Sequence, residues 1–155
     1  MKIFISHKQQ DADTANQMAS ELRMMGVEYY LDLVDSVASS NGKELTSHIK
    51  RNLNNCTDII VIMSNVTRLS QWVPFEVGMA AQRDMPTATF LQEDVSLPEF
   101  LEYWPRLKRA SDIRKYVMAK NDVNREYQQR KSLYENVTQQ TSQTERFYQV
   151  LKQRL

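Results

Sequence analysis

One apolar run limits the fold of this chain more than any other part of its sequence. Residues 59–63 read Ile-Ile-Val-Ile-Met, between Asp58 and Ser64. A strand with one face in water alternates apolar and polar residues, whereas a parallel strand covered on both faces is apolar throughout. The run therefore predicts a parallel strand inside an α/β fold, in which helices connect successive strands.

The rest of the chain fits an alternation of strands and helices. We expect Asp11 or Asp13 to cap the first helix and Gly26 to end it. Asn41 and Glu44 have the spacing of a capping box at the start of the second helix. The predicted strands are 2–6, 27–32, 58–64, 86–91 and 106–107. The predicted helices are 12–25, 42–56, 72–83, 98–103 and 111–120.

The C-terminal segment, residues 123–155, has apolar residues at spacings of three and four, interrupted by a polar patch at 138–144. This pattern predicts one long or two shorter amphipathic helices. Such helices either pack on the domain or offer a coiled-coil-like surface for self-association, and the polar interruption favours packing. We therefore divide the chain into a domain at residues 1–120 and a C-terminal helical extension at 121–155.

The length and the charge of the chain restrict what it can bind. With 155 residues it can form one domain with a sizeable core. Its 20 Lys and Arg residues and 19 Asp and Glu residues give a net charge of +1, which offers no global attraction for nucleic acid or an anionic membrane. Because neither a signal peptide nor a membrane-spanning apolar run is recognisable, we expect a soluble, cytoplasmic protein.

Cysteine and histidine give little sign of catalysis or of metal binding. The single cysteine, Cys56, lies in the apolar stripe of the second predicted helix, which favours a buried structural thiol over a nucleophile. The two histidines, His7 and His48, are far apart in the sequence and have no cysteine or acidic cluster beside them, so we expect no metal site. We expect His48 to be partly exposed.

The most informative candidate for a functional site is the corner that follows the apolar run. Trp72 and Glu76 stand four residues apart, where the predicted strand gives way to a helix. In open α/β sheets, ligands bind outside the carboxyl ends of the strands, so a carboxylate in the first turn of the following helix is expected in the pocket. The alternative for Glu76 is a surface salt bridge or stabilisation of the helix N-terminus.

The order of these elements resembles the TIR (Toll/interleukin receptor) domain family over about residues 1–120. The resemblance is carried by Phe-Ile-Ser-His at 4–7, by Leu-Asp at 31–32 with a loop to Gly42 like the family's BB loop, and by the strand at 59–64. Trp-Val-Pro-Phe-Glu at 72–76 looks like the Trp-x-x-x-Glu motif of TIR domains that cleave NAD. The resemblance implies a flavodoxin-like, five-stranded parallel sheet with helices on both faces.

The resemblance also implies an enzyme that breaks the bond between nicotinamide and ribose in NAD, with Glu76 as the catalytic residue. A carboxylate can stabilise the positive charge that develops on the ribose, and a position near a helix N-terminus predicts an ionised Glu76 at neutral pH. NAD is the expected substrate, and neither a cofactor nor a metal is required. The residues expected to bind the substrate are Ser6, His7, Lys8, Asp32 and Trp72, with Trp72 as an apolar wall or as a packing residue.

Small free-standing TIR proteins of this kind resemble components of bacterial anti-phage systems. There they make a nucleotide signal for a downstream effector or deplete NAD, and self-association is common. The first alternative is a non-enzymatic TIR scaffold that recruits partners through the BB loop and the C-terminal helix. A second alternative is an enzyme that resembles nucleoside deoxyribosyltransferases and acts on free nucleosides.

Overall fold

The computed structural model describes residues 1–33, 41–92, 95–133 and 140–155. In these residues, five parallel strands form one sheet in the order β2-β1-β3-β4-β5. Every residue of β3, the strand formed by the apolar run, is buried, and β3 pairs with β1 and β4. This confirms the prediction of a covered parallel strand. The strands are β1 (Lys2–His7), β2 (Glu28–Leu33), β3 (Asp58–Met63), β4 (Thr87–Leu91) and β5 (Arg106–Leu107).

Helices cover both faces of the sheet, as the sequence predicts. The helices are α1 (Ala12–Met24), α2 (Gly42–Asn54), α3 (Trp72–Gln82), α4 (Ile113–Leu133) and α5 (Gln140–Arg154). Successive side chains of β1 point to opposite faces, so Ile3 and Ile5 pack with α1, α4 and α5, whereas Phe4 packs with α2 and α3. The chain moves one way along the sheet from β1 to β2 and the other way afterwards, and crossovers between parallel strands are right-handed as a rule, which puts the connecting helices on opposite faces.

Three helix ends show how local sequence sets the boundaries. Gly26 has a φ of +67° and ends α1, which confirms the prediction for this residue. At the start of α2, Asn41 Oδ1 accepts a hydrogen bond from the Glu44 backbone N–H at 3.0 Å, which confirms the predicted cap. Asp84 follows α3 and has a φ of +51°, so it adopts the left-handed conformation that usually calls for glycine.

Two predicted helices differ from the observed ones. The helix predicted at 111–120 continues to Leu133 as α4, so the predicted division after residue 120 falls within a helix. The helix predicted at 98–103 is only a short 3-10 turn, Glu99–Leu101. Both segments have few strong periodic signals, and tertiary packing sets their ends.

A buried carboxylate fixes the C-terminal helices to the amino-terminal edge of the sheet. Asp58 Oδ1 accepts hydrogen bonds from the Tyr116 hydroxyl and from Lys120 Nζ, both at 2.9 Å. The Tyr116 ring packs edge-on against Phe147 of α5, with ring centroids 4.9 Å apart. Lys120 Nζ also lies 5.0 Å from the centroid of the Phe147 ring. Both α4 and α5 therefore contribute to the main core.

Candidate functional site

The register of two strands places polar side chains at the carboxyl edge of the sheet. Ser6 of β1 lies opposite Asp32 of β2. Both residues follow the alternation that turns Phe4 and Tyr30 towards α2 and α3, so Ser6 and Asp32 face the same layer of helices. Both are buried, with exposed fractions of 0 and 1 %. The sheet therefore presents a hydroxyl and a carboxyl group side by side beneath α2 and α3.

Glu76 of α3 completes this arrangement. Its side chain is fully buried, and the Ser6 hydroxyl donates a hydrogen bond to Glu76 Oε2. The sequence analysis had placed Glu76 in the first turn of the helix. Because α3 begins at Trp72, Glu76 instead lies just beyond that turn. The amino-terminal peptide dipoles therefore favour the ionised form of Glu76 less than expected, since their effect falls off within the first turn.

The carboxyl groups of Glu76 and Asp32 form a buried pair. Ser6 brings them together, since it lies opposite Asp32 and bonds to Glu76, and each carboxyl group acts on the pKa of the other. Burial, followed by the neighbouring Asp32 charge and hydrogen bond, raises the pKa of Glu76 well above its usual range, against a smaller opposite effect of the Ser6 hydroxyl. Burial also raises the pKa of Asp32. Burial and the Asp32 charge thus act against the ionisation that the sequence analysis expected for Glu76.

A second group of polar residues surrounds Asp32 from β2 and α2. His48 Nε2 lies 3.9 Å from Asp32 Oδ1 and closer to two other atoms, the Tyr30 hydroxyl at 2.9 Å and Asn52 Nδ2 at 3.1 Å. Burial, and next the Asp32 charge, raises the pKa of Tyr30 to about 12, so its hydroxyl stays protonated. His48 is partly exposed, which confirms its prediction. This group joins the carboxyl pair to the protein surface.

Trp72 lies one helical turn before Glu76, next to α2. It packs against Leu45 and Ile49, and its ring meets Phe75 edge-on, with centroids 5.8 Å apart. Trp72 is partly exposed. The structure therefore shows the packing role that the sequence analysis considered, with Trp72 as a whole remaining partly exposed.

His7 and Lys8 follow Ser6 at the end of β1 and differ in their surroundings. His7 is the last residue of β1 and is buried, whereas the predicted strand ended one residue earlier, at Ser6. The alternation of β1 groups it with Ile3 and Ile5 rather than with Ser6, and its Nδ1 lies 3.1 Å from the Ile5 carbonyl oxygen. Lys8 is partly exposed. Of these two residues, Lys8 is the one with access to a ligand from solvent.

Asp11 holds the surrounding loops together. Its Oδ2 accepts hydrogen bonds from Ser64 Oγ, at 2.7 Å, and from Thr67 Oγ1, while its Oδ1 accepts one from Gln92 Nε2 at 3.1 Å. Asp11 precedes α1 but makes no side-chain cap bond, so the prediction of capping by Asp11 is wrong. Its alternative, Asp13, lies in the first turn of α1. Asp11 instead joins the carboxyl ends of β3 and β4 to that of β1.

Sequence reasoning missed Tyr30, Asn52 and the role of Asp11. Spacing gives a signal for the first two. Tyr30 is two residues before Asp32 on a strand, so both side chains lie on the same face of the sheet. Asn52 is four residues after His48 on a helix, so these two side chains lie on the same face of the helix. The Ser- and Asp-rich segment predicted as the BB loop lies largely outside the described residues. Among the described residues, no group of three His, Cys, Asp or Glu side chains is placed to hold a metal ion.

Comparison with known proteins adds one finding to this geometry. The sequence model of the family described as "TIR domain" matches residues 3–134, which includes every strand of the described sheet and α1 to α4. A search of curated proteins finds no match. No helix within the described ranges is both long and apolar enough to cross a membrane.

Proposed function

Because the chain belongs to the TIR domain family, we propose that it is an enzyme that breaks the bond between nicotinamide and ribose in NAD. The family includes NAD-cleaving enzymes as well as scaffolds, so membership alone does not decide between them. The observation that supports an enzyme is the buried carboxyl pair of Glu76 and Asp32.

A buried carboxyl pair is costly to a protein that does not use it. Transfer of a carboxylate out of water is unfavourable unless a cation or several donors replace the water. Glu76 has one donor among the described residues, Ser6, and its second oxygen has none. Groups with strongly shifted pKa values and a specific charge partner are concentrated at functional sites. A scaffold would be more stable with an apolar residue in this position.

The proposed reaction needs one well-placed negative charge. The C1′–N bond of NAD breaks so that both electrons leave with nicotinamide, which departs as a neutral base, and positive charge spreads over ribose C1′ and the ring oxygen. Glu76 in its ionised form stabilises that charge, as carboxylates do in glycoside hydrolysis. Water then gives ADP-ribose and a proton, the adenine of the substrate gives a cyclic product, and another nucleophile gives a conjugate.

The proposed substrate contacts surround Glu76. The Ser6 hydroxyl and Asp32 border Glu76 directly. Partly exposed Lys8 can reach the diphosphate, and the exposed part of Trp72 can cover a ring of the dinucleotide. For His7, which is buried, we propose only an electrostatic contribution, since it and His48 lower the pKa of Asp32 against the larger effect of burial. NAD is the substrate in this proposal, and no further cofactor takes part.

The proposed setting is bacterial anti-phage defence in the cytoplasm, where the enzyme depletes NAD or makes a nucleotide that a downstream effector senses. This part of the proposal rests on the family resemblance of residues 1–120. TIR domains commonly self-associate, and we propose that activity depends on such assembly. The alternative is a non-enzymatic scaffold. It is favoured by Leu69, which is 74 % exposed, and by Phe75, an exposed aromatic residue on α3.

The test is NAD consumption by the purified chain, at high concentration or clustered on beads, with products separated by chromatography and identified by mass. We expect Glu76→Gln to lower the rate about 100-fold or more, because the amide carries no negative charge. Glu99→Gln is the matched control, since Glu99 is exposed and lies in the 3-10 turn Glu99–Leu101. Folding of each variant is checked by circular dichroism.

Two outcomes would contradict the proposal. If folded, clustered wild-type chain leaves NAD intact, the scaffold takes the place of the enzyme. If Glu76→Gln retains the wild-type rate, the chemistry belongs to another residue. A panel of free nucleosides tested in the same assay separates cleavage of NAD from deoxyribosyl transfer.

A further inference from the structure

Two buried oxygens of the candidate site have no hydrogen-bond donor among the described residues. They are Asp32 Oδ2 and Glu76 Oε1, one from each carboxyl group of the pair. The two carboxyl groups are neighbours, because Ser6 lies opposite Asp32 in the sheet and donates a hydrogen bond to Glu76 Oε2. Ionised carboxylates only accept hydrogen bonds, so two neighbouring carboxyl groups can join through a hydrogen bond only if one of them carries a proton.

We propose that Asp32 is the positioning residue of this site: it shares a proton with Glu76, orients the Glu76 carboxyl group, and keeps that group uncharged until the proton is lost. The proposal rests on the function proposed for Glu76. It gives Asp32 a role that differs from contact with the substrate. The proton leaves Glu76 for solvent when the site ionises, and Glu76 then carries the negative charge that faces the substrate.

Two histidines act on Asp32, one from each neighbouring element. His48 of α2 lies 3.9 Å from Asp32 Oδ1, but its Nε2 is closer to Tyr30 and Asn52. The charge of His7 of β1 also lowers the pKa of Asp32. In this proposal the shared proton leaves the pair with a single negative charge.

The charged and titratable groups that face Glu76 itself come from β1 and β2. From β2 these are Asp32 and Tyr30, whose hydroxyl remains protonated. From β1, Ser6 fixes the other oxygen of Glu76, because its hydroxyl donates to Oε2. Glu76 is therefore oriented at both oxygens, by Ser6 at Oε2 and by the proton shared with Asp32.

The two neighbours act on the ionisation of Glu76 with opposite signs. The charge of Asp32 and its hydrogen bond raise the pKa of Glu76, whereas the Ser6 hydrogen bond lowers it. Asp32→Asn removes the charge and keeps the shape of the side chain, so it should lower that pKa. Ser6→Ala removes the donor, so it should raise it. If Asp32 and Ser6 had merely structural roles, their substitutions would not shift the pKa of Glu76 in these two opposite directions.

The first readout does not depend on catalysis. Carbon-13 NMR of the chain labelled at glutamate Cδ follows the ionisation of each glutamate with pH, and the signal lost in Glu76→Gln identifies Glu76. We expect Glu76 to titrate above the usual glutamate range in the wild type, and at least one pH unit lower in Asp32→Asn. We expect it to titrate higher in Ser6→Ala.

The second readout is the pH profile of kcat/KM for NAD, which reports the ionisation of groups in the free enzyme. We expect the acid limb of the profile to move to lower pH by at least one unit in Asp32→Asn. At a pH below the acid limbs of both chains, the variant should therefore show a fraction of its plateau rate about tenfold larger than that of the wild type. Asp112→Asn is the matched control. Asp112 is a buried aspartate that accepts hydrogen bonds from the backbone of Lys108 and Arg109, away from the site, so the limb should stay in place.

The outcomes separate this inference from the proposed function. If Glu76 titrates in the usual range, or its titration is unchanged in Asp32→Asn, the shared proton is refuted even if NAD is cleaved. If the titration moves as expected and no NAD is cleaved, the shared proton is supported and the proposed NAD-cleaving activity is refuted. Should Asp32→Asn fail to fold, the wild-type titration and the upward shift in Ser6→Ala decide the question.

Discussion

Ser6 and Asp32 lie opposite each other in the register of β1 and β2, and both side chains lie against the carboxyl group of Glu76. Three elements that are far apart in sequence thus meet at one carboxyl group, which burial keeps from water. The free energy of unfolding should therefore depend on pH, because the pKa of Glu76 differs between the folded and the unfolded chain.

Stability should fall as pH rises above the usual glutamate range. The folded-state pKa of Glu76 is raised, so its contribution is fully present below the unfolded-state pKa and is lost as pH rises through the folded-state pKa. Glu76→Gln should remove this loss. Its stability relative to wild type should therefore increase with pH, by up to about 1.4 kcal/mol per pH unit. Urea denaturation at a series of pH values measures the difference, and a constant difference would contradict the raised pKa.

Asp11→Ala should destabilise the chain by about 3 kcal/mol, because it leaves the buried donors of Ser64 and Thr67 and the partly buried donor of Gln92 without their shared acceptor. Urea denaturation at pH 7 measures the loss. Asp13→Ala is the matched control, since Asp13 is an exposed aspartate two residues further along the chain. Equal effects of the two substitutions would show that the Asp11 contacts contribute nothing specific.

Asp58→Ala should be more damaging, at about 3–5 kcal/mol, because it leaves Lys120 as a largely buried and unpaired ammonium group. Lys120 is only 17 % exposed, and Asp58 is completely buried. The double variant with Lys120→Met should recover part of the loss, since it removes the uncompensated charge and keeps an apolar side chain near Phe147. Thermal unfolding of the three chains tests this order. A double variant less stable than Asp58→Ala would refute it.

Asp84→Gly should stabilise the chain, by up to about 1 kcal/mol. Asp84 has a φ of +51° at the end of α3, where the Met85 N–H donates to the Ala80 carbonyl at 3.0 Å and closes the helix. Glycine adopts this conformation without a clash of its Cβ, and it also removes a negative charge from the helix C-terminus. Asp84→Val is the opposite control, because a β-branched residue should be less stable than aspartate there. Denaturant midpoints rank the three chains.

The sequence predicted the architecture well because its strongest signal was local. The apolar run at 59–63 specifies a covered strand without any knowledge of its neighbours, and Gly26 and Asn41 mark helix ends through their own conformational preferences. The extent of α4 was not predictable in this way, because its length depends on packing against α1 and α5 rather than on its own periodicity.

The sequence identified the main residues of the candidate site but did not predict the electrostatic environment of Glu76. Glu76 and Asp32 were both singled out, yet their contact joins positions 44 residues apart and follows from how α3 lies on β1 and β2. A helix N-terminus suggested an ionised Glu76, whereas burial and the neighbouring Asp32 charge raise its pKa. Asp11 shows the same limit, since its three partners lie 53 to 81 residues away.

The strand order also affects when the sheet can form during synthesis on the ribosome. β1 precedes β2 and β3 in the chain yet lies between them in the sheet, so its pairing of Ile3 with Asp58 waits until the residues up to Asp58 have been synthesised. Until then Ile3, Phe4 and Ile5 have at most the β2 edge to pair with, and contacts of such high sequence separation form slowly. Ile3, Phe4 and Ile5 therefore remain an apolar segment without one of its two neighbouring strands until β3 has been made.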